Sequence, residues 1–414
     1  MRTLRNRDFR RLWISGGISG IGSWLLVVAI PFYVFDLTGW TVATGLALAL
    51  EALPALLLGP WAGVLLDRWD LTRAMWIADL VSAAAVALIL FADADRVWPI
   101  YLAILVENVA TMVFRPAARA LLPAVVGTGN ELAAANALNA FSGSAIRLAA
   151  PPLGALVLAG PGITFVLAVD ITSYLLSAAI ISTVRRPALR AGRERGSGEA
   201  AQRVEERGAT DGPLAGFRFV ARHRALRGIL IGQTIFLTAN AGLTALLVPF
   251  TVIRLQAPGY VVGYLISGLG AGYLLGAALS TKAATWLGVR DLLALTQFTT
   301  AAAFFALFNA PNIPTAIIAA ALIGLPGSIL LITAETAIQR TAPTAMLGRV
   351  GALFFAADSL ALLVGALAAP AVTLTLDLPL TLNLLAAFAV LAAPLTLIVV
   401  PAHPAAFTRT SAGV

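Results

Sequence analysis

Twelve apolar runs of about 20 residues follow one another along this chain, and that is the length an α-helix needs to cross a bilayer. They fall at roughly 12–35, 42–66, 74–92, 98–116, 136–159 and 162–184, then 226–252, 260–281, 291–309, 313–334, 350–374 and 379–401. Hydrophobic residues are 59% of the 414 and charged residues 12%, about half the charge of an ordinary soluble domain. A soluble reading would need a huge core and almost no surface. The predicted fold class is therefore an all-α polytopic membrane protein. Glycines and prolines inside the runs, such as Gly16, Gly20, Pro31, Pro54 and Pro249, are tolerated where neighbouring helices satisfy freed backbone groups.

Charge sets the orientation. The net charge is +8, yet the basic residues form no folded basic domain, so topology accounts for them better than nucleic acid does. With both ends inside, the outer loops hold only Arg96 and Arg254 of the 28 Lys and Arg, a strong positive-inside bias. Both termini are expected in the cytoplasm. The basic N-terminus leads into a run too long for a signal peptide's apolar region, so it reads as a retained first span. There are no cysteines and only two histidines, His223 and His403, which leaves no disulfide, thiolate or histidine metal site. No nucleotide loop or Ser/His/Asp set is present either. No cofactor or metal is expected, and an enzyme is the poorer reading.

The two halves repeat. Pro31-Phe32-x-Val34-x-x-Leu37 with Gly45 recurs as Pro249-Phe250-x-Val252-x-x-Leu255 with Gly263, at an offset of 218, and Pro123 matches Pro343 at 220. That predicts two pseudo-symmetric six-helix bundles, an architecture of alternating-access transporters. The expected domains are 1–185, a linker at 186–225, a second bundle at 226–401, and a cytoplasmic tail at 402–414. The linker's polar part should be disordered. Its end, Pro213 to Arg224, places Leu214, Phe217 and Ala221 on one face and Arg218 and Arg222 on an adjacent one, as in a helix lying at the membrane surface.

Acids inside spans are costly and mark functional sites by default. Glu51 lies 16 residues from Asp67, about 24 Å along a helix. Glu107 is near the middle of span four, and Asp358 some nine residues into span eleven. Burial favours the neutral form of a carboxyl, which suits a residue that takes up and releases a proton in each cycle. The alternative is a satisfied polar contact. Asp79, close to Arg73, reads as a structural partner of inner arginines. Arg147 and Asp170 sit at similar heights in adjacent spans and could pair, which costs less than two separate buried charges. Trp24, Phe32, Tyr33, Phe114, Phe141, Phe236, Tyr273 and Phe354, with Asn240, Gln233 and Gln297, are candidates to line a cavity for large lipophilic substrates.

Between spans two and three lies Gly59-Pro-Trp-Ala-Gly63-Val-Leu-Leu-Asp67-Arg68-Trp-Asp70-Leu-Thr-Arg73. A connection this short forces the two helices antiparallel. Gly63-x-x-x-Asp67-Arg68 followed by Arg73 resembles the major facilitator superfamily signature at this turn. Other stretches resemble its proton-coupled drug and siderophore exporters. They are Leu4-Arg-Asn-Arg-Asp-Phe-Arg-Arg-Leu-Trp13, Phe114-Arg-Pro-Ala-Ala-Arg-Ala-Leu-Leu-Pro123, Asn136-Ala-Leu-Asn139, Arg147-Leu-Ala-Ala-Pro151-Pro152-Leu-Gly154 and Asp170-Ile-Thr-Ser-Tyr174. Departures are present: Asp70 and Leu71 replace a usual Gly-Arg, Ala150 and Ala155 replace two glycines of the helix-five signature, and span four carries Glu107-Asn108 where an arginine is usual.

The resemblance implies a monomeric secondary transporter in the bacterial cytoplasmic membrane. It would exchange protons for lipophilic small molecules, without nucleic-acid partners. Glu51, Glu107, Asp358, Asp170 and Arg147 are its coupling candidates, and Pro151, Pro152 and Gly154 an antiporter-like motif. It also implies a conformational gate in Gly63, Asp67, Arg68 and Arg73, with the acid docking near Gly348–Gly351 when the inner side is closed. Export of one endogenous metabolite, such as a siderophore or antibiotic, and lipid movement between leaflets are the alternatives.

Overall fold

A computed structural model describes residues 3–66, 69–127, 130–184, 215–343 and 346–402, with some side chains, among them those of 58–66, Arg147 and Pro152, outside the description. The helices are α1 (Arg7–Thr38), α2 (Thr41–Leu66), α3 (Leu71–Leu88), α4 (Trp98–Val126), α5 (Asn130–Ala159) and α6 (Ile163–Ser182), then α7 (Ala215–Arg222), α8 (Arg224–Ala245), α9 (Val261–Trp286), α10 (Val289–Phe308), α11 (Ile313–Thr341), α12 (Leu347–Val372), α13 (Leu378–Val390) and α14 (Ala392–Val399). Among the described residues eleven stretches are long and apolar enough to cross a membrane, α13 and α14 together making one of them. The twelfth is α2, whose backbone helix runs for 26 residues. The fold is all-α with twelve spanning helices.

Residues within Met1–Pro187, Ala245–Ser267 and Pro370–Thr375 form one compact unit, and those within Ala188–Thr244, Gly268–Ala369 and Leu376–Val414 the other. Asp67 and Arg68, most of the linker and nearly all of the tail lie outside the described residues. Gly63 falls on the last turn of α2, and a short helix, α7, forms at the end of the linker, where Gly216 lies against the Arg349 backbone.

In the first unit, the N-terminal signature works as a strap. The Asn6 side chain accepts from the backbone N–H groups of Asp8 and Phe9 and so caps α1, while its amide donates to the Val125 carbonyl at 2.9 Å. Phe9 is fully buried with Leu122, Val126 and Ala135. Trp13 donates to Ser142 at 2.9 Å, and Arg11 to the Thr183 carbonyl at 2.8 Å. One short stretch therefore ties the start of α1 to α4, α5 and the end of α6. Asp70, a departure from the family pattern, has a local purpose: its carboxylate accepts the Arg73 N–H at 3.0 Å and caps α3. Such a cap contributes about 1 kcal/mol.

Membrane helices gain little by exclusion from water, so close approach has to come from small residues. A Cβ on Gly154 would meet the Leu25 Cα and carbonyl oxygen at 3.1 Å, which explains why the helix-five motif keeps that glycine. Around this α1–α5 crossing Leu25, Leu26, Ile89, Ile100, Ile104 and Leu167 make the core.

The repeat is nearly constant in sequence offset but not in backbone. α1 runs through Pro31, whereas the matching span in the second half stops at Ala245 and resumes as a single turn at Leu247–Pro249 and a π-helical turn at Phe250–Arg254. Gln256 then takes a positive φ of 50°. Within the first unit this broken segment packs onto the end of α1: Val248 and Val262 cluster with Phe35 and Phe32, Gly259 lies against the Phe32 ring, and Thr41 and Thr373 share a hydroxyl hydrogen bond of 2.8 Å.

In the second unit, Val220, Leu226, Ile229, Phe236, Leu330 and Phe354 are buried together. The Gln297 side chain accepts from Thr396 at 2.8 Å and joins α10 to α14. Several helices outrun their apolar runs: α4 continues to Val126 and α11 to Thr341. Hydropathy reads the bilayer, while the helix ladder continues into the interface beyond it.

Candidate functional site

The strongest site lies in the first unit, in a cavity of about 300 Å³. Helical periodicity builds it. On α1 the residues Gly16, Ser19, Gly20, Ser23, Trp24 and Val27 line it, and on α4 Glu107, Asn108, Thr111, Phe114 and Arg115, in each case one face at three- and four-residue spacing. α2 contributes Glu51, α3 contributes Asp79 and Ser82, and α6 contributes Tyr174. A second void of about 260 Å³, walled by Leu12, Trp13, Met75 and Ile146, shares Gly16, Gly20, Trp24 and Phe114 with the first. A polar chamber and an apolar one thus lie side by side.

At the centre is a chain of hydroxyls ending on a carboxylate. The Tyr174 hydroxyl donates to Glu107 Oε1 at 2.7 Å. It also lies 2.9 Å from Ser23 Oγ, which is 3.0 Å from the Ser19 carbonyl. Each hydroxyl carries one proton, so the chain has two consistent directions. With Glu107 ionised, Tyr174 donates to it. With Glu107 protonated, Glu107 can donate to Tyr174, Tyr174 to Ser23, and Ser23 to the Ser19 carbonyl on α1.

Three more acids surround it. Glu107 lies within electrostatic reach of both Glu51 and Asp170. Asp170, one turn before Tyr174 on α6, is fully buried; its Oδ1 accepts from Ser173 at 3.3 Å, while Oδ2 has no hydrogen-bond partner among the described residues. A Cβ on Gly22 would run into Asp170 Oδ1 and Ser173 Oγ, so α1 is pressed onto this carboxyl because residue 22 has no side chain. Asp79 is also buried, with the buried Ser177 hydroxyl of α6 close to its carboxyl. Asp79 faces the cavity; Arg68, one of the inner arginines it was expected to meet, lies outside the described residues. The Arg147 side chain lies outside the described residues, and with it the proposed partner of Asp170.

The second unit holds a smaller acidic pair. Gln233 on α8 donates to both oxygens of Asp358 on α12, at 2.9 and 3.1 Å. Glu335 on α11 lies within electrostatic reach of Asp358 and accepts from Gln339 at 2.6 Å.

Of the cavity candidates, Trp24 and Phe114 line the acidic chamber. Phe32 packs in the core against Gly259, and the Tyr33 hydroxyl donates to the Ala92 carbonyl at 3.1 Å. Phe236 and Phe354 are buried in the second unit's core. Phe141 is 72% exposed on α5. Asn240 is half-buried on α8, and Tyr273 lies beside Gly327. Pro151 is buried, and Gly154 marks the α1–α5 crossing. Ser23, Tyr174 as a hydrogen-bonding group, and Glu335 are what sequence reasoning missed. The available signals were the i, i+4 pairing of Asp170 with Tyr174 and the continuation of helix past residue 334.

Twelve membrane-spanning helices in two halves, with carboxyls lining an internal chamber, define a multi-pass membrane transporter. The chain belongs to the transmembrane secretion effector family of the major facilitator superfamily, whose sequence pattern matches residues 1–409. It is 28% identical over 184 residues to macrolide efflux protein A of Streptococcus pyogenes, covering 44% of this chain and 45% of that one, so the match spans less than half the length of that relative. It is 25% identical over 358 residues to the multidrug efflux pump Tap of Mycolicibacterium fortuitum, covering 83% and 85%. The fold is shared with the nucleoside transporter NupG, at a TM-score of 0.73 and 12% identity over 95% of this chain and 98% of that structure.

Proposed function

We propose that this protein is an exporter that moves lipophilic compounds out of the cytoplasm in exchange for protons, by alternating access, with both termini on the cytoplasmic side. The observation that carries this reading is the Glu107–Tyr174–Ser23 chain inside a chamber that also holds Glu51 and Asp79. Glu107 is the proton-accepting group. Tyr174 and Ser23 position its proton and relay its state to α1, and Glu51 and Asp170 are the charges whose repulsion makes simultaneous ionisation costly. The apolar void beside the chamber suits the body of a lipophile. The names of the efflux relatives support the direction of transport, and the arginine distribution supports the orientation.

The test is accumulation of a lipophilic fluorescent dye in inverted membrane vesicles energised to an acidic interior. Accumulation that collapses on adding a protonophore is the expected result. Dye movement indifferent to the proton gradient would overturn the antiport reading, and protection of cells against a single compound only would favour a dedicated metabolite exporter.

A further inference from the structure

The second unit carries a large cavity that neither of the site acids Asp358 and Glu335 lines. It is a groove of about 740 Å³, within the range of pockets that hold whole organic ligands. α10 forms its floor with small side chains, Thr296, Thr299, Ala302, Ala303 and Ala306, and Leu279 and Leu322 stand on its two sides. Close packing of α9 on α11 through Gly272 and Gly276 shapes one wall. Leu279, Leu295 and Leu322 are 46%, 48% and 53% exposed, so the groove opens toward the membrane rather than the protein interior. From Leu292 to Ala306 its floor is about 21 Å long, longer than one leaflet's half of a hydrocarbon core of about 30 Å.

One end is different in kind. Lys282, the one lysine among 28 basic residues, lines it. Its Nζ lies 5.3 Å from the Trp286 ring centroid, and it makes no ion pair among the described residues. A tryptophan beside a snorkelling lysine is the chemistry of the headgroup level of a bilayer. Arg290, the next basic residue, is already occupied by Asp291 at 2.8 Å.

We propose that this groove is a binding site for one anionic phospholipid, its acyl chain lying along α10 and its phosphate on Lys282. Charge complementarity selects the headgroup, and the recessed floor selects an unbranched chain over the bulky lipophile of the transport cycle.

Native mass spectrometry of the full chain tests it, after exchange into lipid-free detergent and titration with phosphatidylglycerol or phosphatidylcholine of equal chain length. The wild type is expected to retain one phosphatidylglycerol with several-fold preference. Lys282→Ala should bring the preference to near unity, Lys282→Arg should keep it, and Ala302→Phe with Ala306→Phe should lose both lipids, because both alanines face the open groove. Equal retention of the two lipids by the wild type, or preference unchanged in Lys282→Ala, would overturn the proposal. So would full retention in the phenylalanine variant, or displacement of the bound lipid by the transported dye. Should the phenylalanine variant elute as aggregate, the two Lys282 variants decide the matter alone.

Discussion

Tyr174→Phe removes one oxygen from the centre of the chamber and leaves the ring in place. Glu107 Oε1 loses its 2.7 Å donor, whereas Ser23 keeps an acceptor in the Ser19 carbonyl. A hydrogen bond to a charged group has a net value of about 1.5–3 kcal/mol. At 1.4 kcal/mol per decade, that is a fall of roughly ten- to a hundredfold in the population carrying an ionised, positioned Glu107. Every proton-driven cycle must pass through that population, while exchange of labelled for unlabelled substrate need not. The assay therefore compares the two modes in proteoliposomes. Gradient-driven accumulation should fall by that factor, substrate counterflow should persist, and the substrate Kd should change less than about threefold, well under one decade. Equal loss in driven uptake and counterflow would show that the variant merely damages the chamber. Unimpaired driven uptake would refute the relay outright.

Other perturbations act elsewhere. Gly154→Leu drives a side chain into the Leu25 backbone; overpacking of this kind costs about 1–3 kcal/mol and should appear as a lower Tm in detergent, with Gly160→Leu, on an exposed turn, as the unaffected control. Gln233→Leu strips Asp358 of both its hydrogen bonds. Asp358 is half-buried, so the cost should fall at the low end of the ~1–3 kcal/mol for an unsatisfied group, and Gln233→Leu combined with Asp358→Leu should recover much of the lost Tm. Asp67→Asn at the family's gate signature should slow transport by altering conformational populations while substrate affinity stays put; a matching loss of affinity would contradict that role.

Much of the fold was legible because bilayer length is a hard constraint. Runs of about 20 apolar residues mark spans whatever their neighbours do. The breaks were less visible. Pro249 matches Pro31 by offset, yet only the second-half span breaks, with a π turn at Phe250–Arg254. Both segments end in the same packed cluster within the first unit, so tertiary packing chooses between two backbones that the repeat makes equivalent.

The site was legible only in part. Glu51 and Glu107 stand out as acids in apolar surroundings, and the structure brings them into one chamber. Tyr174 and Ser23 do not stand out, since a hydroxyl in a span usually bonds its own helix, and only the α1–α6 crossing at Gly22 brings these two together. Glu335 was hidden by a boundary placed one residue short of it, where the apolar run fades and the helix does not. Aromatic residues were the least informative, because ring chemistry alone does not say whether a side chain faces a chamber, as Trp24 does, or fills a core, as Phe236 does.

The most direct measurement is proton movement itself. The purified protein is reconstituted into liposomes holding a pH-sensitive dye, and the lipophilic substrate is added under an imposed pH gradient. The account predicts substrate-dependent proton flux in the wild type and its loss in Glu107→Gln, with substrate binding retained. Substrate movement without proton flux in the wild type, or undiminished coupled flux in Glu107→Gln, would contradict it.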